Sequence, residues 1–237
     1  MLPILKPTKA RLALILITLL NLTTACTNII TPPANITNPT NVYVLDYGRH
    51  SSLLLPNPTE SDDKTLTPEF TEYAYGEWKW YARQNDSVWR IPATLFWPTT
   101  GTLGRNTWQV RNAGDTFAPN TSQSSTNTDD NACMIVAAVA NQFQTEQIIQ
   151  ITADRAAVTD LLDKLNNRFQ AANVEQPVYN QAYRLHFVPE PNVKYTLFHN
   201  CNNEVVDWLR DLGCTVNGTG IFSTFKLTEK PAPHHKN

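Results

Sequence analysis

The chain of 237 residues can hold one domain with a full core or two small ones, and one is expected. Its formal net charge is −2, 17% of its residues are charged, and no Lys/Arg-rich run follows the N-terminus, which argues against a nucleic-acid partner. Asn, Thr and Pro are abundant and Gly is scarce, a balance that suits an exported protein with long polar loops.

Residues 1–25 read as a signal peptide. Lys6, Lys9 and Arg11 form a positive start, Leu12–Leu22 an apolar run, and Thr23-Thr24-Ala25 supply small residues before Cys26. The apolar run falls short of the roughly 20 residues that a transmembrane helix needs. The ending Leu-Thr-Thr-Ala-Cys resembles a bacterial lipobox, with Thr23 where Leu is usual and Leu22 one place early. That resemblance implies cleavage before Cys26 and lipidation of its thiol, so that membrane lipid is the partner; simple secretion and an uncleaved anchor are the alternatives. Thr27 in place of Asp resembles the outer-membrane sorting pattern, which implies a lipoprotein of the cell envelope facing the periplasm. Residues 26–40, rich in Thr, Asn and Pro, then read as a lipidated tether that needs no fold of its own.

A single domain is expected over residues 41–228, with a disordered tail over 229–237. Val42–Leu45 and His50–Leu55 read as two strands of a hairpin turned at Gly48 and stopped by Pro56, the second carrying His50, Ser52 and Leu54 on one face. Asn57–Glu69 reads as a polar loop and Phe70–Gly76 as a third strand. The aromatic run Trp78, Trp80 and Tyr81 after Glu77 suits core and lid packing, and also a substrate pocket. Ala93–Trp97 fits a short helix ended by Pro98, and Asn112–Asn131 a polar surface loop. Cys133–Val139 fits either strand or helix. Gln147–Thr152 reads as a strand, and Ala153–Ala172 as a helix with Ala157, Val158, Leu161, Leu162, Leu165 and Phe169 on one face, carrying no visible chemistry. Tyr183, Leu185 and Phe187 alternate as a strand leading to Pro189 and Pro191. Cys214–Leu227 holds a turn and a short β-like run, and His234-His235 lie in the tail.

The stretch Tyr195–Gly213 organises the rest. Val193, Tyr195 and Leu197 alternate as a strand, whereas Val205, Val206, Leu209 and Leu212 keep helical spacing up to a stop at Gly213. Cys201 therefore opens a helix, where unpaired N–H groups and the helix dipole favour a thiolate. A small buried thiol packing the helix end is the plain alternative. Asn200 and Asn202 fit as cap residues first and oxyanion donors second. If Cys26 is lipidated, Cys133, Cys201 and Cys214 remain, an odd number. Cys201 and Cys214 stand about 20 Å apart if a helix joins them, beyond disulfide reach. Cys133–Cys214 and Cys133–Cys201 stay open as bridges, and only the first leaves Cys201 free.

Three blocks resemble the bacterial domain-of-unknown-function 2459 family: Gly48-Arg49-His50-Ser51-Ser52-Leu53-Leu54-Leu55-Pro56, Tyr75-Gly76-Glu77 with Trp80-Tyr81, and Tyr195-x-Leu-Phe-x-x-Cys201-Asn202 with Leu209-Arg210 and Gly213. Their order and spacing agree with that family. Arg49 replaces Trp, Ser51-Ser52 replace Thr-Gly, Glu77 replaces Asp, and Glu204 stands where Trp is expected, as in a divergent member. Histidine first and cysteine later is similar to the circularly permuted papain-like, NlpC-like arrangement. The resemblance implies an α+β fold in which an antiparallel sheet packs against helices. It also implies a Cys201 nucleophile, a His50 base and Glu77 as orienting group, with Glu72 or Tyr73 as alternatives to Glu77. A thiol hydrolase or acyltransferase, with peptidoglycan peptide or a lipid-like acyl group as substrate, is the activity so implied; no cofactor is called for. A non-catalytic envelope lipoprotein using the same scaffold for binding is the competing class. A zinc site at Cys201, His50, Glu77 and His199 has the ligand types without a supporting spacing, and His199 otherwise serves as a backup base.

Overall fold

The first hairpin of the large sheet is closed by a side chain. Asp46 ends one strand, its carboxylate accepts the Gly48 N–H (2.8 Å), and Tyr47 N–H returns to the His50 carbonyl (2.8 Å), with Gly48 at φ +80° where a side chain would strain. In the computed structural model, residues 27–48, 50–57, 69–84, 97–109, 145–172, 176–221 and 223–228 are described. The expectations for the signal segment, Cys26, Arg49, most of the 57–69 loop, the 93–97 helix apart from Trp97, the 112–131 loop, Cys133–Val139 and the tail lie outside these residues.

The fold is mixed α+β. In chain order the elements are β1 (Asn28–Thr31), β2 (Pro39–Asp46), β3 (Ser51–Pro56), β4 (Glu69–Glu77), a π-helical turn (Trp78–Ala82), β5 (Thr99–Gln109), β6 (Gln147–Asp154), α1 (Arg155–Ala171), β7 (Val178–Asn180), β8 (Leu185–Tyr195), α2 (Cys201–Asp211), β9 (Thr215–Asn217) and β10 (Phe225–Leu227). Seven strands make one antiparallel sheet, ordered β6-β2-β3-β4-β5-β8-β7. Period-two alternation sends Val44, Leu53, Leu55, Tyr73 and Tyr75 to the face covered by both helices, and Tyr43, Leu45, Leu54 and Phe70 to the other. Both helices contribute an apolar stripe: Val158, Leu161, Leu162, Leu165 and Phe169 from α1, and Val205, Val206, Trp208 and Leu209 from α2. Asp154 caps α1 through Ala156 N–H (3.0 Å), and its second oxygen holds the Thr37 N–H (2.8 Å). Among the described residues no helix is long and apolar enough to cross a membrane.

Two expectations need correcting. Part of the stretch read as a fold-free tether is structured: β1 lies between β9 and β10 in a second, three-stranded sheet, and Ile30 is fully buried. Two adjacent isoleucines among Asn, Thr and Pro give too short a pattern to reveal a strand whose partners lie at the far end of the chain. Likewise, the two strands expected around Pro189 and Pro191 are one. β8 runs through both prolines because β7 pairs only as far as Phe187, and beyond it a missing N–H costs no ladder bond on that edge. The extra residues bulge between Glu190, opposite Gly101, and Lys194, opposite Thr100. Tyr183 precedes the strand in a turn, where Arg184 takes φ +51°.

Because Ile30 fills the main core from β1, Ile30→Ala should cost about 2–4 kcal/mol in urea unfolding, whereas Ile29→Ala, at a 43% exposed position, should cost under about 0.5 kcal/mol. Equal and negligible effects would return residues 28–31 to a tether.

Candidate functional site

Cys201 is the first residue of α2, and its place follows from the cap before it. Asn200 has extended backbone, and its Oδ1 accepts the N–H groups of Asn202 (2.8 Å) and Asn203 (3.1 Å). Asn203 returns the favour by accepting the Asn200 N–H (3.2 Å), a capping box built from two asparagines. Asn202 does something else. Its Oδ1 accepts the Ser51 hydroxyl (2.8 Å) and lies 3.6 Å from the Cys201 sulfur, while its amide donates to the Ile221 carbonyl (3.3 Å). The first turn of α2 is thereby fastened to the start of β3.

The sulfur of Cys201 is a free thiol, 3% exposed. Burial pushes its pKa up, outweighing the Tyr195 hydroxyl, the Ser51 and Asn202 N–H groups and the Tyr81 hydroxyl, which pull it down. Cys214, at the other end of α2, is also free, and burial pushes it up to about 11. Neither is bridged.

His50 immediately precedes Ser51, so the segment whose hydroxyl holds Asn202 also carries the imidazole. The ring is 4% exposed and packs against Tyr81 (centroids 4.8 Å), Tyr183 (5.7 Å) and Tyr47 (5.9 Å). Neither ring nitrogen has a hydrogen-bond partner, and burial drives the pKa down to about 3. The histidine and the cysteine are thus brought to one place by β3, but the ring is joined neither to the sulfur nor to a carboxylate. At neutral pH both groups are uncharged.

Glu77 is committed elsewhere. It is 1% exposed and caps the π-helical turn by accepting the Trp80 N–H (2.7 Å). That turn positions Tyr81, whose ring lies on His50 and whose hydroxyl pKa is raised by burial first and by Cys201 second. Trp80 stacks on Tyr81 (5.9 Å), and Trp78 lies under the Arg83 guanidinium (5.7 Å), both half-buried. Of the alternatives to Glu77, Tyr73 donates to Asn166 of α1 (2.7 Å). Glu72 accepts three neutral donors, Ser52 (2.6 Å), Tyr47 (2.9 Å) and the Trp108 indole (3.0 Å). Burial raises the Glu72 pKa. Among the described residues no three His, Cys, Asp or Glu side chains gather as metal ligands.

Residue types and spacing did not reveal Tyr195 as a neighbour of the sulfur, nor the charges behind it. Arg168 of α1, on the helix assigned no chemistry, grips Glu190 of β8 (2.5 and 2.8 Å) and Glu204 of α2 (2.9 and 3.1 Å). His199 Nε2 lies 3.1 Å from Glu204 Oε1, close but off the line of a hydrogen bond. Burial works to raise the Glu204 pKa, but His199 and Arg168 outweigh it and hold the carboxyl at about 2. Glu204 in turn raises the pKa of His199. The sequence signal was the acid at position 204, one helical turn from Cys201.

The two histidines should give the pH dependence of stability opposite slopes, on either side of 6.5. His50 stays neutral in the fold down to about 3 but takes a proton near 6.5 when unfolded, so its contribution is complete above 6.5 and is lost as pH falls from there toward 3. The loss should total on the order of 5 kcal/mol. His199, raised in the fold, adds stability that is full below 6.5 and disappears as pH rises through its folded value. Urea unfolding across pH should therefore flatten on the acid side in His50→Phe and lose its decline above 6.5 in His199→Gln. An unchanged acid slope in His50→Phe would mean that the imidazole is solvated. Compared with protein-family models, curated proteins and solved structures, the chain matches none.

Proposed function

We propose that this protein is a thiol hydrolase or acyltransferase of the cell envelope, anchored by lipid on Cys26 and acting on an amide or ester through Cys201 and His50 in a papain-like, NlpC-like arrangement. The observation that carries the reading is the placement of a free, buried thiol at the first residue of α2, the turn that Asn202 ties to Ser51, the residue after His50. A nucleophile needs a base beside it and donors where charge develops, and these groups fill both roles.

In the reaction the sulfur attacks the substrate carbonyl while its proton passes to a nitrogen of His50. The Cys201 N–H and the Tyr195 hydroxyl are the donors for the oxyanion. His50 then gives the proton to the departing amine or alcohol, leaving a thioester that water or a second acceptor resolves. The dry tyrosine cage keeps thiol and imidazole neutral, so a polar group of the substrate must reach the imidazole before the proton moves. Glu77 serves this site by holding the turn that carries Tyr81, not by orienting His50.

A second reading has a specific observation in its favour. A thiol whose pKa is raised, beside an imidazole with two unpartnered nitrogens, also suits a ligand pocket without turnover, as in a non-catalytic envelope lipoprotein.

Activated short-chain acyl esters and aminoacyl amides, followed by mass mapping of the adduct, separate the two. The hydrolase reading expects an acyl group on Cys201 that is absent in Cys201→Ala and forms at least ~100-fold more slowly in His50→Ala, with both variants folded. No adduct, or equal formation without His50, would favour the binding pocket.

A further inference from the structure

We infer that Arg168, Glu190, Glu204 and His199 form a positioning device for Cys201 that acts through two stacked tyrosines, Tyr75 and Tyr195. The inference deepens the thiol-chemistry reading and rests on it for its purpose, but the contacts that carry it are independent of turnover.

The column starts at Arg168. Its guanidinium makes four hydrogen bonds to two carboxylates on different elements, Glu190 on β8 and Glu204 on α2, so one side chain of α1 fixes the spacing of the strand and helix that flank the cysteine. Both carboxylates are nearly buried and the arginine is 23% exposed, a setting in which the planar fork rather than the charge alone decides the geometry. The guanidinium then lies over the Tyr75 ring at 5.5 Å, and His199 meets the same ring edge-on at 5.2 Å. Tyr75 stacks on Tyr195 at 5.9 Å, and the bridge between Thr196 and His199 sets Tyr195 close to the start of α2, where its hydroxyl pulls the Cys201 pKa down.

Tyr75 is the joint in this column, and it is held by its faces alone. Its hydroxyl is buried without a hydrogen-bond partner and sits over Gly101, where a Cβ would lie 2.1 Å from the oxygen. With no bond at the tip, the ring takes its position from Arg168, His199 and the bare backbone of Gly101. Glu190 pairs with that same glycine, at the last register before the bulge in β8. Tyr195 follows the bulge, so the strand gives its ring less support than an unbroken ladder would.

Cys201 labelling by iodoacetamide across pH, mapped by peptide mass so that Cys214 is counted separately, reads the effect. Tyr195→Phe removes a donor to the thiolate and should slow labelling near neutral pH about 3- to 10-fold by moving the midpoint upward. Arg168→Met should move the midpoint the same way, and adding Tyr195→Phe to it should bring no further shift. Arg168→Lys keeps the buried cation but not the fork and carries the same test should Arg168→Met not fold. A role confined to stability would lower the unfolding midpoint and leave the thiol titration alone. Additive shifts, or a folded Arg168 variant that titrates like wild type, would overturn the inference. Because the titration needs no substrate, failure of the hydrolase reading would show in the acyl-adduct experiment and not here.

Discussion

A single buried hydrogen bond, from the Ser51 hydroxyl to Asn202 Oδ1, ties the start of β3 to the first turn of α2, and the site exists because these two ends meet. On one side of the bond stands His50, on the other Cys201. Breaking it would leave a polar group unpaired in the interior, at a cost of about 1–3 kcal/mol. The asparagine cap completes the arrangement. By occupying the N–H groups of Asn202 and Asn203 with its own oxygen, Asn200 takes up two of the donors at the start of α2. In this way a helix start, which elsewhere would stabilise a thiolate, is partly used up by the protein itself.

Burial decides the electrostatics that result. Four tyrosines surround the histidine and cysteine: Tyr47, Tyr81 and Tyr183 around the imidazole, Tyr81 and Tyr195 at the sulfur. Desolvation moves the thiol up and the imidazole down, away from the crossing point at which an ion pair would form. The hydroxyl donors work in the opposite direction but do not win. Charge is instead kept one layer back, where Arg168 neutralises Glu190 and Glu204 and His199 borders the group.

Where side-chain periodicity was strong, the sequence was readable. Val205, Val206, Leu209 and Leu212, bounded by Asn200 and Gly213, placed α2 and hence the position of Cys201 within it. The hairpin of β2 and β3, the strand β4 and the helix α1 were legible for the same reason. What escaped was non-local. β1 depends on partners at the far end of the chain, and Arg168 lies at the edge of the apolar stripe of α1, where a charge normally reaches out to solvent. Glu77 illustrates the remaining gap: its residue type and place suited an orienting carboxylate, whereas the local backbone claims it as a cap. Nor does a histidine in a sequence disclose that both its nitrogens will be left without partners.

The central claim is that thiol and imidazole rest as a neutral, buried pair. The most direct measurement is 15N NMR of the His50 side chain as pH is lowered. The account expects neutral-imidazole shifts that persist well below 6.5 and change only toward about 3. Protonation near 6.5 or above would contradict it, since that would mean a solvated ring or a preformed thiolate–imidazolium pair.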